Sequence, residues 1–243
     1  MSQPVPGKIY LADQRGRLET SQFRRQSTFS FGVFQHEHKE PFGRLYGFNE
    51  ETLAGGHAVE FLVEEDSYIL LLPLTGAVAF GTGGGASGTI EAEELTTLAA
   101  PAGTALTLRN PFADELISLL HLWVRAPAPL AVLPQATATT TIFDGQLLEN
   151  QLRELVSARA EAHSPVEPSL PFRFSLGRFM GRQETRYKVT PGNAFFAFVI
   201  AGAFELEGRL LHERDGLALW EAAEVELEAL SNHALVLVLE LLP

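Results

Sequence analysis

The sequence predicts an all-β protein made of two tandem β-barrels, with one short helix in the segment between them. Three observations carry this expectation. Short apolar or alternating runs recur between Gly and Pro turns along most of the 243 residues. The order of these runs in the N-terminal half recurs in the C-terminal half. Between the halves lies a stretch of different composition and period. The expected boundaries are 1–127 for the first barrel, 128–170 for the connecting segment and 171–243 for the second barrel.

In order along the chain, Glu60 to Asp66 and Tyr68 to Phe80 are rich in apolar and aromatic residues and read as strands. Gly76 marks a turn within the second run. Gly83 to Gly88 satisfies G-x-G-x-x-G, but strand-like sequence follows where a dinucleotide site needs a helix, so a hairpin loop is expected. Thr104 to Arg109 alternates. Residues 127–142 are rich in Pro, Ala and Thr and read as a linker. Asp144 then caps a helix to about Arg159, because Leu147, Leu148, Leu152, Leu155 and Val156 share one helical face. Pro165, Pro168 and Pro171 punctuate the loop that follows. Ala194 to Ala201 and Ala234 to Leu242 read as buried strands, with a turn at Gly202, and Glu224 to Ala229 alternates.

Composition removes several classes of function. There is no cysteine, which excludes disulfides, thiolate catalysis and Cys-ligated metals. The formal charge is −12, and no basic run exceeds Arg24-Arg25. Nucleic-acid binders present a basic patch, so no nucleic-acid partner is expected. No apolar run is long enough to span a bilayer, and the N-terminal sequence lacks a signal-peptide pattern, so a cytoplasmic protein is expected without membrane contact. Glu64-Glu65 and Glu93-Glu94 are adjacent; on a strand such pairs face opposite ways and do not work together. His36-Glu37-His38 lies on a polar connecting segment and reads as a surface loop. His57 has no evident partner, and His121, His163, His212 and His233 read as surface or capped residues.

The segment GGHAVEFLVEEDSYILLLPLTGAVAF (Gly55 to Phe80) resembles the first barrel motif of the pirin family, within the cupin superfamily. In that family a His-x-His pair precedes a strand and a turn glycine, and the histidines hold iron. KIYLADQRG (Lys8 to Gly16) and STFSFG (Ser27 to Gly32) resemble the family's opening strands. Phe42-Gly43, Gly103-Thr104 and HLWVRAP (His121 to Pro127) also match the first barrel. Ser175 to Leu219 resembles the second barrel, with turns at Pro191-Gly192, Gly202, Gly208 and Asp215-Gly216. The resemblance covers nearly everything except residues 135–170, where the family has a strand leading into the second barrel.

The resemblance implies two cupin, or jelly-roll, barrels. Counting back from Gly76 puts Leu62 and Glu64 at the His-x-His positions; the third histidine maps to Leu108 and the family's glutamate to Asn110. Leu, Glu, Leu and Asn do not hold a transition metal tightly. The expectation is therefore a site without metal or cofactor and without catalytic residues. Leu62, Glu64, Leu108 and Asn110 are expected to line the cavity, with Glu64 facing inward to meet a donor such as Asn110. The function expected is binding of a small apolar ligand or a protein partner. The alternative is a quercetin-dioxygenase-like or other cupin enzyme with a non-standard or absent metal site.

Overall fold

The computed structural model describes residues 5–130, 135–158 and 170–243. Its strands are β1 (Gly7–Tyr10), β2 (Gly16–Glu19), β3 (Phe23–Ser27), β4 (Leu45–Leu53), β5 (Ala58–Leu62), β6 (Ser67–Thr75) and β7 (Val78–Gly81). There follow β8 (Ser87–Ile90), β9 (Glu94–Ala100), β10 (Ala105–Arg109), β11 (Ile117–Arg125), β12 (Thr137–Ile142), β13 (Arg153–Val156) and β14 (Phe172–Phe179). The last are β15 (Glu184–Lys188), β16 (Ala194–Ala201), β17 (Phe204–Leu206), β18 (Arg209–Leu211), β19 (Gly216–Leu219), β20 (Glu224–Ala229) and β21 (Ala234–Leu241). Among the described residues, no helix is long and apolar enough to cross a membrane.

The chain folds as two compact units. Arg15–Phe143 forms one; Asp144–Pro243, joined by the segment ending at Gln14, forms the other. The first unit has a sheet ordered β12-β9-β6-β11-β4-β3-β2 and a smaller sheet β5-β10-β7-β8. The second has β1-β19-β16-β21-β14-β13 and β15-β20-β17-β18. The smaller sheets match strand for strand, and the larger ones match from β12/β1 through to β3/β13. The repeat expected from the spacing of the two halves is therefore a repeat of topology: two all-β cupin barrels in tandem. Gly76 and Gly202 occupy corresponding turns at φ +72° and +76°, a conformation cheap only for glycine.

Each barrel has its own core. Leu53, Ile69, Leu71, Leu98, Leu119 and Trp123 meet Val59, Phe61, Val78 and Leu108 inside the first. Phe195, Ala197, Val199, Val236 and Val238 meet Phe204, Leu206, Val225 and Leu227 inside the second. The two large sheets supply one wall of each core and the small sheets the other.

Three expectations of organisation change. The segment opening at Lys8 does not belong to the first barrel: β1 pairs with β19, Tyr10 opposite Gly216. Tyr10 is buried, and its ring lies 6.2 Å from that of Phe196. The Asp215 carboxylate fixes the turn after β1 by accepting from the Ala12 amide at 2.7 Å. The expected linker is in part a strand, β12, laid along β9. Its run of β-branched threonines suits a half-exposed edge, and Thr96 and Thr140 hydroxyls meet across the pair at 2.8 Å. The short helix is present as a single 3-10 turn, Gly145–Leu148, capped by Asp144 through the Gln146 amide. It stops there and does not reach Arg159. Asn150 takes a left-handed φ of 55°, and β13 then pairs with β14. An isolated helix of that length is marginal, and strand addition to an open sheet edge prevails. The proline-punctuated loop and His163 fall largely outside the described residues.

A buried carboxylate closes one end of the second barrel. Glu240, inward on β21, has no exposed side-chain area. Its Oε2 accepts from the Tyr187 hydroxyl at 2.7 Å, and Oε1 accepts from the Thr190 amide at 3.0 Å and the Asn193 amide at 2.5 Å. Arg173 approaches at 3.5 Å. Burial alone would raise the Glu240 pKa, but the donors from Tyr187, Thr190 and Asn193 outweigh it and hold it below the ordinary range. Burial raises the Tyr187 phenol, and its bond to Glu240 raises it further.

Two outcomes follow. Tyr10→Ala should cost about 3–5 kcal/mol, as for other buried aromatics. Limited proteolysis with mass spectrometry should then find new cuts within Asp144–Pro243 while Arg15–Phe143 stays resistant; the reverse pattern would place β1 in the first barrel. The lowered pKa of Glu240 makes its stabilisation present above the ordinary carboxylate value of 4.5 and lost as pH falls through the folded value. Glu240→Gln should therefore flatten the acid limb of stability against pH, measured by urea unfolding from about pH 6 to about pH 3.

Candidate functional site

Strand phase decides what the first barrel encloses. On β5 the burial alternates so that Val59 and Phe61 turn inward, while Ala58 and Leu62 lie on the outer side. Val63 continues the inward set, fully buried. Leu62 is 66% exposed and Glu64 is exposed as well, so neither lines the cavity. Only an unbroken strand from Leu62 to Thr75 would put them inward by spacing from Gly76. In fact β5 ends at Leu62, and a turn precedes β6, so the phase of β6 does not carry back. A one-residue offset exchanges every inward and outward side chain. The turn is held by Asp66, whose carboxylate accepts from the Ala102 and Leu130 amides, each at 2.7 Å.

Leu108 is buried in the core, opposite Val59 and Phe80. Asn110 is buried too, but its amide is fully used by the chain around it. It donates to the carbonyls of Leu53 at 3.0 Å and Glu115 at 2.7 Å and accepts from the Phe112 amide at 2.9 Å. Glu64 and Asn110 do not meet. The inward faces of β5 and β10 are thus Val59, Phe61, Leu106 and Leu108, an apolar wall.

The opposite wall carries the chemistry. On β4 the inward row is Gly47, Asn49, Glu51 and Leu53. Asn49 stands between Ser27 of β3 and His121 of β11, and Glu51 between Arg25 and Leu119. His121, expected at the surface, is completely buried. The Trp123 indole donates to His121 Nδ1 at 2.6 Å. An indole N–H only donates, so Nδ1 must accept, the ring proton sits on Nε2, and Nε2 donates to Glu51 Oε1 at 3.0 Å. The histidine is neutral in this arrangement. Burial holds its pKa below the ordinary 6.5, against the pull of Glu51. Arg25 Nε donates to the same Glu51 oxygen. Its guanidinium lies 4.6 Å over the Phe61 ring and 5.7 Å from that of Phe31.

This network is incomplete. Among the described residues, Glu51 Oε2 and both polar atoms of the Asn49 side chain are buried without a hydrogen-bond partner. Buried polar groups are nearly always paired, so three such atoms on one row indicate a place for a further polar molecule. The row faces Phe31, Phe61 and Trp123, whose rings stand 5.3–6.1 Å apart. A signal for this site exists in the sequence: Arg25, Glu51 and His121 fall in phase with Phe23, Leu53, Leu119 and Trp123.

The residues present do not fit a metal centre of the family's kind. The walls at β5 and β10 are hydrocarbon, Asn110 is consumed, and both ring nitrogens of His121 are engaged. Among the described residues, no three His, Asp or Glu side chains are placed to hold an ion. His36 and His38 lie on an exposed loop, where His36 Nδ1 accepts from the His38 amide at 3.1 Å. His57 stacks on Phe23 at 5.7 Å. Gly83 to Gly88 spans the β7–β8 hairpin, as expected. The cleft over β15, β20 and β17 is lined by Glu184, Glu205, Glu207, Glu226 and Glu228; Arg186 already pairs there with Glu226 at 2.7 Å.

Comparison with known proteins agrees with this architecture. Residues 156–241 match the family described as quercetinase C-terminal cupin domain. A quercetin 2,3-dioxygenase of Escherichia coli (strain K12) is 21% identical over 94% of this chain and 97% of its own length. The crystal structure of YhhW from Escherichia coli superposes with a TM-score of 0.84 at 18% identity, covering 98% of each chain. The bacterial pirin YhhW in complex with nickel(II) gives 0.83 at 19% identity, covering 98% of this chain and 100% of that one. With repeated barrel topology, a matching C-terminal domain and relatives aligned over nearly the whole length, the chain has the fold of a pirin-like bicupin.

Proposed function

We propose that this pirin-like bicupin works without a metal, as a cytoplasmic small-molecule-binding protein whose ligand meets the polar row of the first barrel. One observation carries the proposal: β5 and β10 present only hydrocarbon inward, while Asn49 and Glu51 on β4 keep unpartnered polar atoms under full burial. A core needing only packing gains nothing from such groups, because an unmet buried donor or acceptor costs about 1–3 kcal/mol. The acidic composition fits a protein that stays dispersed. The relatives named quercetin 2,3-dioxygenase favour a second reading, a dioxygenase-like enzyme; at 21% identity the name belongs to the relative. That reading requires an ion with an open coordination position, for which the inward residues offer no ligand set.

Metal content separates the two. Protein expressed with added nickel(II) and iron(II) should carry far less than one ion per chain and should not turn over quercetin. Its melting temperature should stay within about 1 °C when these ions are added. A site holding metal at a hundredfold excess over Kd would add about 2.7 kcal/mol, a shift of several degrees. Stoichiometric metal that disappears in Glu51→Gln or His121→Phe would overturn the proposal.

A further inference from the structure

The ring of Phe31 occupies a slot made for something flat. A Cβ on Gly47 would lie 2.9 Å from the Phe31 ring and 2.9 Å from Trp123 Cδ1, so the absent side chain leaves the space that the ring fills. Trp123 lies 5.3 Å away, Phe61 6.1 Å, and His121 6.0 Å edge-on. The Arg25 guanidinium covers another side at 5.7 Å. Phe31 is only half-buried. It projects from a tight turn closed by reciprocal Phe31–Phe34 backbone bonds of 2.9 and 3.1 Å, with Val33 at its tip 81% exposed. Phe31 and its turn lie outside the strands of both sheets.

The row under the slot continues from Gly47 to Asn49 and Glu51. We propose that the slot is the ligand site, that Phe31 is its displaceable occupant, and that the ligand is a flat, uncharged ring bearing a primary amide. The inference rests on reading the first barrel as a small-molecule site. The charge requirement comes from the lining: Arg25 and Glu51 neutralise each other and His121 is neutral by its bond from Trp123. A charged ligand would leave water here with no opposite charge left to meet it. The hydrogen-bond requirement comes from the free atoms. The Asn49 amide offers a donor and an acceptor, and Glu51 Oε2 offers an acceptor. A primary amide answers all three, with its carbonyl accepting from Asn49 Nδ2, one N–H donating to Asn49 Oδ1, and the other donating to Glu51 Oε2. Its ring takes the place of the Phe31 ring among Trp123, Phe61 and Arg25.

The probes are benzamide, its anionic counterpart benzoate, and toluene, titrated calorimetrically. They are followed by Trp123 emission in a Trp220→Phe background. Phe31→Ala, with Phe31→Leu as a milder opening of the slot, should bind benzamide about tenfold or more tighter than the parent chain. Benzoate should fail to bind. Asn49→Leu in the opened chain should remove the preference of benzamide over toluene while leaving toluene binding unchanged. Equal binding of toluene and benzamide in the opened chain would overturn the ligand class yet leave the barrel a binding site. If neither opened chain binds any probe, the slot is packing and the inference falls. Metal content, measured on the same protein, reports separately on the metal-free reading.

Discussion

Antiparallel pairing holds neighbouring side chains on one face, so a single phase decides the whole inner wall of each barrel. On β4 the phase that buries Leu53 also buries Glu51 and Asn49 and sets the gap of Gly47 against Trp123. Once Glu51 is inside, an opposite charge must accompany it, because an isolated carboxylate is not tolerated there. The register supplies Arg25 directly across on β3, while His121 comes in from β11, one pair along. The indole of Trp123 then settles which nitrogen of that histidine carries the proton. Polar chemistry in this barrel therefore stands on β3, β4 and β11, and the wall of β5 and β10 is left to hydrocarbon.

The second barrel shows what a buried carboxylate looks like when it is structural. Both oxygens of Glu240 accept hydrogen bonds, from a phenol, a backbone amide and a side-chain amide, with Arg173 close by. Its negative charge is held by donors that also pin the segment from Tyr187 to Asn193. Glu51 differs in its distribution of partners. One oxygen receives both Arg25 and His121, and the other receives nothing among the described residues. Breaking a buried pair costs about 3–5 kcal/mol, so the Arg25–Glu51 contact still holds the wall together. The asymmetry marks the open side of the carboxylate as the place where a ligand adds to the network.

The fold was legible because its signals are local. Turns at Gly76 and Gly202, the apolar run Ala194 to Ala201 and the alternating run Glu224 to Ala229 stand where their own residues place them. The site was not legible from the same signals. Counting from Gly76 places Leu62 and Glu64 inward, but the turn between Leu62 and Ser67 breaks the count. Strand existence depends on composition, whereas strand phase depends on every residue of the loop before it. His121 shows the complementary failure. Taken alone, a histidine in a strand suggests the surface; taken with Leu119 and Trp123 at spacing two, it belongs to the core. Thr137 to Ile142 reads locally as linker and Arg153 to Val156 as helix, because each strand needs a partner, β9 or β14, that no local pattern names.

These two strands and β1 share one role, the completion of sheet edges. An open edge is a template for unwanted pairing, and each barrel closes its own with chain from beyond its central run. In the first barrel the closing strand is β12, a short distance along the chain from β9. In the second, β1 joins β19 across nearly the whole chain. Loop-closure entropy grows only slowly with length, so the final stability of that pairing is little affected. The rate differs, because long-range pairs wait until the chain between them is in place. Everything the first barrel needs lies within Arg15–Phe143, whereas the second needs both ends of the sequence. During that wait β1 must not pair elsewhere. Its exposed Gly7, Lys8 and Ile9, with only Tyr10 buried in the finished barrel, make it a weak template on its own and a specific one once Phe196 and Asp215 are in position.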